Sequence, residues 1–415
     1  MGDPSPEDWN RAQRYASWMR HVEVDEWRAL GEETFNKLRL NSPPGGWFPA
    51  LQDLSWCITE SNLPHADLFF SPHLKRVSLR AASAWNDTGV LQHFIPIMAS
   101  KISALPTSSL ERISGDASHL TMPWELLKDS FSSIVLRCGS SFTEYDTPVP
   151  LSKAALDHLI QLPHLRTWRT HGPPPDSSAS SWPLVFPPIR EFILGECSAP
   201  EWLPLLGRLD GASTTQGLTP LSKAKESLKI LKIEDLSSIN IDASLFTIQC
   251  FRNLVDLNVD VNCHDGDDRG DCIFDLDNDD VTKFAMALTQ LESLLLGHAC
   301  FEDICATTVA CLLPISVHCK ELKKLEIHFN TTDIADDFKN IYEDPRLQQL
   351  RSLPRCRLTC LDVYQMPLSL EESDLEIVAK GMIDIFPSLI HFEAVEERCW
   401  DELSDKIADL REDSE

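Results

Sequence analysis

The sequence has no apolar run near the roughly 18 residues that a bilayer span needs. It has no basic-then-apolar leader either: its first residues, "MGDPSPEDWNRAQRY", are polar and acidic. Its 13 Cys include no CxxC pair, and scattered thiols in odd number fit a reducing compartment better than a disulfide framework. A cytoplasmic or nuclear protein is expected. Positive charge is scarce, with 37 Lys and Arg against 64 Asp and Glu and a formal net charge of -27. Such a chain repels phosphate backbones and anionic lipids, so neither nucleic acid nor membrane is an expected partner, whereas a basic protein segment is. No GxSxG, Walker loop, GxGxxG or HExxH occurs. The sequence therefore predicts no catalytic residue, no cofactor and no metal.

What is present is a repeat. With 415 residues, 43% of them hydrophobic, the chain is too long for one simple core and suits several domains or an array. "KELKKLEIHFN", Lys320 to Asn330, carries the skeleton L-x-x-L-x-L, which recurs about a dozen times with any bulky apolar residue allowed. The central positions are Leu54, Val77, Ile113, Ile134, Trp168, Phe192, Leu231, Leu257, Leu294, Leu325, Leu361 and Phe392, at intervals of 21 to 39 residues. That spacing suits one strand plus a returning helix or loop. Alternation puts Leu325 and Ile327 in the core and Lys324, Glu326 and His328 in solvent. Three residues after the last apolar position, Cys197, Asn262 and Asn330 can bond backbone groups inside the turn.

Helical segments lie between the strands. "LSLEESDLEIVAKGMIDIF" offers a capping box, Ser369 with Glu372, ahead of Leu375, Val378, Met382 and Ile385 at helical spacing. Asp280 and Ser152 are the predicted N-caps of "DDVTKFAMAL" and "PLSKAALDHLIQL". The expected fold is α/β, an irregular leucine-rich-repeat solenoid or horseshoe with parallel strands on the concave face and helices and loops on the convex face. Residues 1–24 form an amino-terminal capping helix, begun by Ser5 and Pro6, and a first strand at "HVEV". The array spans 25–398, with rim loops at 170–183, 208–220 and 262–280. An acidic helix or tail over 399–415 presents Trp400, Leu403, Ile407 and Leu410.

The amino-terminal "SPEDWNRAQRYASWMRHVEV", with the entries "FPALQDLSW", "SPHLKRVSL", "LPHLRTW" and "FPSLIHF", resembles the F-box/leucine-rich-repeat-like proteins of mushroom-forming fungi. The resemblance covers nearly the whole chain. It implies a substrate-binding arm: in that family an F-box upstream of a segment like Pro6–Trp9 docks on the Skp1 adaptor of a cullin-RING ubiquitin ligase, and the repeats hold the substrate. This chain begins after the place of that module, so a Skp1 contact is expected only if an F-box lies upstream. "MPWELLKDSF", 122–131, superficially matches an F-box opening but reads better as a loop and helix between repeats. The alternative is a free-standing repeat scaffold or inhibitor-like binder.

Metal sites suggested by residue type fail on spacing. Asp275, Asp277 and Asp279 alternate as in a calcium loop, yet Asp280 stands where Gly is needed and Met286 where Glu is. His298, Cys300, Cys305, His318 and Cys319 lack the paired spacing of a zinc site. The candidate partner-binding residues are those facing outward on the carboxyl-terminal strands: Lys232, Glu234, Asp256, Asn258, Asp260, Lys324, Glu326, His328, Asp362, Tyr364, His391 and Glu393. They form a polar, mainly acidic surface suited to a protein or peptide with a basic segment.

Overall fold

The computed structural model describes residues 4–25, 32–59, 62–81, 88–116, 124–171, 187–195, 226–236, 248–261, 276–297, 306–363, 368, 370–393 and 398–412. The chain divides into two compact units, Met1–Ile189 and Arg190–Glu415. The amino-terminal unit holds strands β1 (His21–Val24), β2 (Asp53–Ile58), β3 (Arg76–Ala81), β4 (Arg112–Asp116), β5 (Glu144–Asp146) and β6 (Thr167–His171). Each pairs in parallel with the next. The carboxyl-terminal unit holds β7 (Glu191–Gly195), β8 (Ile230–Leu236), β9 (Asp256–Val261), β10 (Ser293–Leu296), β11 (Lys324–Ile327), β12 (Cys360–Asp362) and β13 (His391–Glu393), again parallel and in sequence order.

Sequence order has a topological consequence. Parallel neighbours need a crossover, crossovers are right-handed, and successive right-handed crossovers moving in one direction return over the same side of the sheet. Among the described residues, the connecting helices of each unit therefore share one face of its strands and leave the other open. The repeat skeleton supplies the residues for the covered side: Val22, Leu54, Val77, Ile113, Tyr145 and Trp168 stand opposite one another strand by strand, all buried. Leu231, Leu257, Leu294, Leu325, Leu361 and Phe392 do the same in the second unit.

The strand entries repeat as well. The Lys75 carbonyl accepts from the N–H groups of Glu111 and Arg112 at 2.7 and 3.0 Å, and the Glu292 carbonyl accepts from Lys323 and Lys324 at 2.8 and 3.1 Å. One carbonyl of each turn thereby satisfies two donors of the next, which fixes the register before the strand begins.

Three expectations need correction. Ile134 is not in a strand but in the helix Lys128–Val135. There Phe131, Ile134 and Val135 are buried while Leu136 is 46% exposed, the i, i+3, i+4 pattern of a helix instead of the i, i+3, i+5 of the skeleton. The strand of that repeat is β5, whose skeleton Phe142, Tyr145 and Thr147 is buried but ends on a polar residue. The second concerns the helix Asn278–Ala287, capped by Asp277, whose carboxylate accepts from the Asp280 N–H at 2.8 Å; Asp280 is inside it. The third is the helix Glu372–Ile385, whose N-cap position is Glu371, without a side-chain cap; Ser369, the expected cap, lies outside the described residues.

Other expectations hold. Ser5 and Asp8 make a reciprocal capping box, and Ser152 accepts from the Ala155 N–H at 3.4 Å. Residues 124–135 form a 3-10 turn and a helix between β4 and β5, the reading preferred for "MPWELLKDSF". The last helix, Arg398–Glu412, buries Trp400, Leu403 and Ile407, and Trp400 lies against Phe392 with ring centroids 4.9 Å apart. The rim loops lie largely outside the described residues. Among those described, no helix is long and apolar enough to cross a membrane.

Candidate functional site

Because side chains alternate along a strand, the residues flanking each buried centre line the open face. In the second unit they align in two rows. Asp256, Ser293, Lys324, Cys360 and His391 form the first, and Lys232, Asn258, Leu295, Glu326, Asp362 and Glu393 the second. Glu234 pairs with Gly195, and Asp260 follows the register shift between Ile233 and Leu236. The register therefore brings together the sequence-derived face residues except Asp260 and His328, which have no place in the two rows, and Tyr364, which lies outside the described residues.

Two of them are not solvent-facing as expected. Glu326 and His328 are only 8% and 9% exposed.

The first unit has an open face that the sequence reading did not single out. His21, Asp53, Arg76, Arg112 and Glu144 form one row and Ser55, Ser78 and Ser114 another. Short serines between long arginines leave a depression of about 240 Å³, lined by these residues except Glu144, together with Leu54 and Val77. Its charges are paired across strands. Arg76 holds Asp53 with two hydrogen bonds of 2.6 and 2.7 Å, Arg112 meets Glu144 at 2.9 Å, Arg80 meets Glu23 at 3.0 Å and Arg169 meets Asp146 at 3.3 Å. The bond to Asp53 raises the already high pKa of Arg76. Exposed pairs of this kind each contribute roughly 0 to 1 kcal/mol, so they position side chains more than they stabilise the fold. Stacking the repeats in register would have revealed this face, which the apolar periodicity alone does not mark.

The proposed turn residue Asn330 accepts from the Thr332 N–H at 2.8 Å, while Cys197 and Asn262 lie outside the described residues. Of the thiols and imidazoles weighed as zinc ligands, Cys319 is buried, its thiol pointing at the carbonyls of Ala285 and Leu288 and its pKa pushed up to about 12 by that burial. His298, Cys300 and Cys305 are outside the described residues. Among the described residues, Cys138, Cys319, Cys356, Cys360 and Cys399 are free thiols. A different trio does converge: Cys360, His391 and Glu393 hold potential donor atoms within 4.8 Å of one another on β12 and β13. No protein-family model and no curated protein matches the chain, so the two open faces and their chemistry carry the functional reading.

Proposed function

We propose that the chain is a non-catalytic protein-recognition module, an irregular leucine-rich-repeat array that grips a protein or peptide on the open faces of its parallel strands. The observation that carries this reading is the in-register pair of polar rows on β8 to β13, a continuous surface along successive parallel strands. Glu234, Asp256, Asp260, Asp362 and Glu393 outnumber Lys232 and Lys324 there. The acidic excess favours a basic segment and speeds encounter at low salt. The resemblance of the amino-terminal segment and strand entries to F-box/leucine-rich-repeat-like proteins extends the proposal: the array is the substrate-holding arm of a Skp1–cullin ubiquitin ligase. A free-standing scaffold uses the same surface without Skp1.

The test is purification from the native source through a carboxyl-terminal tag, with cross-linking and mass measurement of the companions. Cross-links from Lys232 or Lys324 to a co-purifying protein, lost when Glu234 and Asp256 are both changed to Lys, support recognition by this face. Skp1 and cullin among the companions assign the ligase arm, and a partner without them assigns the free-standing binder. A partner whose capture is indifferent to the double charge reversal overturns the reading.

A further inference from the structure

The repeat register does something at the carboxyl-terminal edge that no single stretch of sequence shows. Cys360 and His391 occupy the same position of successive repeats and stand opposite each other on β12 and β13. Glu393 lies two residues beyond His391 and so points to the same side. Their donor atoms, a thiol sulfur, an imidazole nitrogen and a carboxylate oxygen, all fall within 4.8 Å of one another.

We propose that Cys360, His391 and Glu393 bind one zinc-type transition-metal ion through three protein ligands, leaving a fourth position open to water. The donor set argues for the metal class. Thiolate and imidazole favour zinc and its neighbours, while magnesium and calcium are held by oxygen. The distances fit too: bonds of about 2.0 to 2.3 Å in a tetrahedron place ligand atoms about 3.2 to 3.8 Å apart, so closing a trio that lies within 4.8 Å needs shifts of at most about 1.0 to 1.6 Å, within side-chain reach.

The site sits on an anchored element. Phe392, between the two ligands on β13, faces the core and packs on Trp400. Binding displaces the thiol proton to solvent as the sulfur–metal bond forms. The inference concerns chemistry beyond protein recognition and stands whether or not the open face grips a protein.

The experiment titrates the full-length chain, stripped with a chelator, with cobalt(II) and then zinc(II). One equivalent of cobalt should produce a thiolate-to-cobalt charge-transfer band that zinc abolishes. Cys360→Ser should lose the band, and Glu393→Gln and His391→Ala should each weaken zinc binding by about tenfold or more, measured by competition with a chromophoric chelator. Cys250→Ser, at a half-buried thiol elsewhere, should keep both band and affinity. Unchanged melting of the metal-free variants separates ligand loss from misfolding, since His391 and Glu393 are exposed. Absence of the band in the wild-type chain, or its persistence in Cys360→Ser, overturns the proposal.

Discussion

The indole N–H of Trp56 donates to the side-chain oxygen of buried Asn62 at 3.0 Å. The same oxygen accepts from the Thr59 N–H at 3.0 Å, and the Asn62 amide donates to the Cys57 carbonyl at 2.8 Å. One side chain thus satisfies three polar groups where β2 leaves the sheet. Asn62→Ala should cost about 3 kcal/mol or more, because a buried group left without its partner costs about 1 to 3 kcal/mol. A denaturant titration reading the amino-terminal unit checks this; a loss below about 1 kcal/mol would show that the turn rearranges to satisfy itself.

Leu325 is fully buried at the centre of β11, and Lys324 beside it is exposed. Leu325→Ala should destabilise by about 2 to 5 kcal/mol, and Lys324→Ala by no more than about 0.5 kcal/mol. Equal losses in matched unfolding curves would contradict the register in which Leu294, Leu325 and Leu361 align.

Gly381 lies inside the helix Glu372–Ile385, where the absence of a side chain makes room for a neighbour. A Cβ there would stand 2.2 Å from Cδ1 of buried Phe338, on the helix Ile334–Glu343. Gly→Ala in a helix normally gains about 1 kcal/mol. Overpacking a fixed aromatic ring costs about 1 to 3 kcal/mol, so the clash should win and Gly381→Ala should lower the melting temperature. Adding Phe338→Leu should recover part of the loss; no recovery would place the strain elsewhere.

His65 stacks on Phe35 with ring centroids 5.2 Å apart and is nearly inaccessible. Burial, and then the charge of Arg39, lower its pKa from the ordinary 6.5, with Lys101 acting in the same sense and Asp67 and Glu32 opposing. The folded chain therefore binds fewer protons at this site than the unfolded chain. Its stability is intact above the unfolded-state pKa and falls as pH drops through 6.5 toward the lower folded value. Denaturation midpoints at about pH 8 and about pH 5 should differ more for the wild-type chain than for His65→Gln. Identical differences would assign the acid sensitivity to other groups, such as His318, which is lowered by burial in the other unit.

The strands were legible wherever the repeat skeleton was complete. The centres from Leu54 to Phe392 lie in strands except Ile134, where three buried residues satisfied a helical period that a short apolar window does not distinguish from the skeleton. β5 was missed for the opposite reason, since Tyr145 and Thr147 fill core positions with polar groups. The fold makes them acceptable: the Tyr145 hydroxyl donates to the Val149 carbonyl at 2.7 Å and Thr147 accepts from the Val149 N–H at 3.2 Å. Helix starts were read less well, because Asp277, Asp279 and Asp280 all suit a cap and only the path of the chain selects Asp277.

The sequence by itself determined the alternation of core and surface, the parallel order of strands and the acidic balance of the carboxyl-terminal face. These follow from local periodicity and composition, which each repeat carries within itself. Tertiary structure alone decided which side chains meet across repeats. It set Arg76 on Asp53, buried Glu326 and His328, and brought Cys360 to His391 and Glu393. Those meetings depend on the register between strands some thirty residues apart. That register is fixed by the turn carbonyls and buried centres acting together, not by any one stretch of chain.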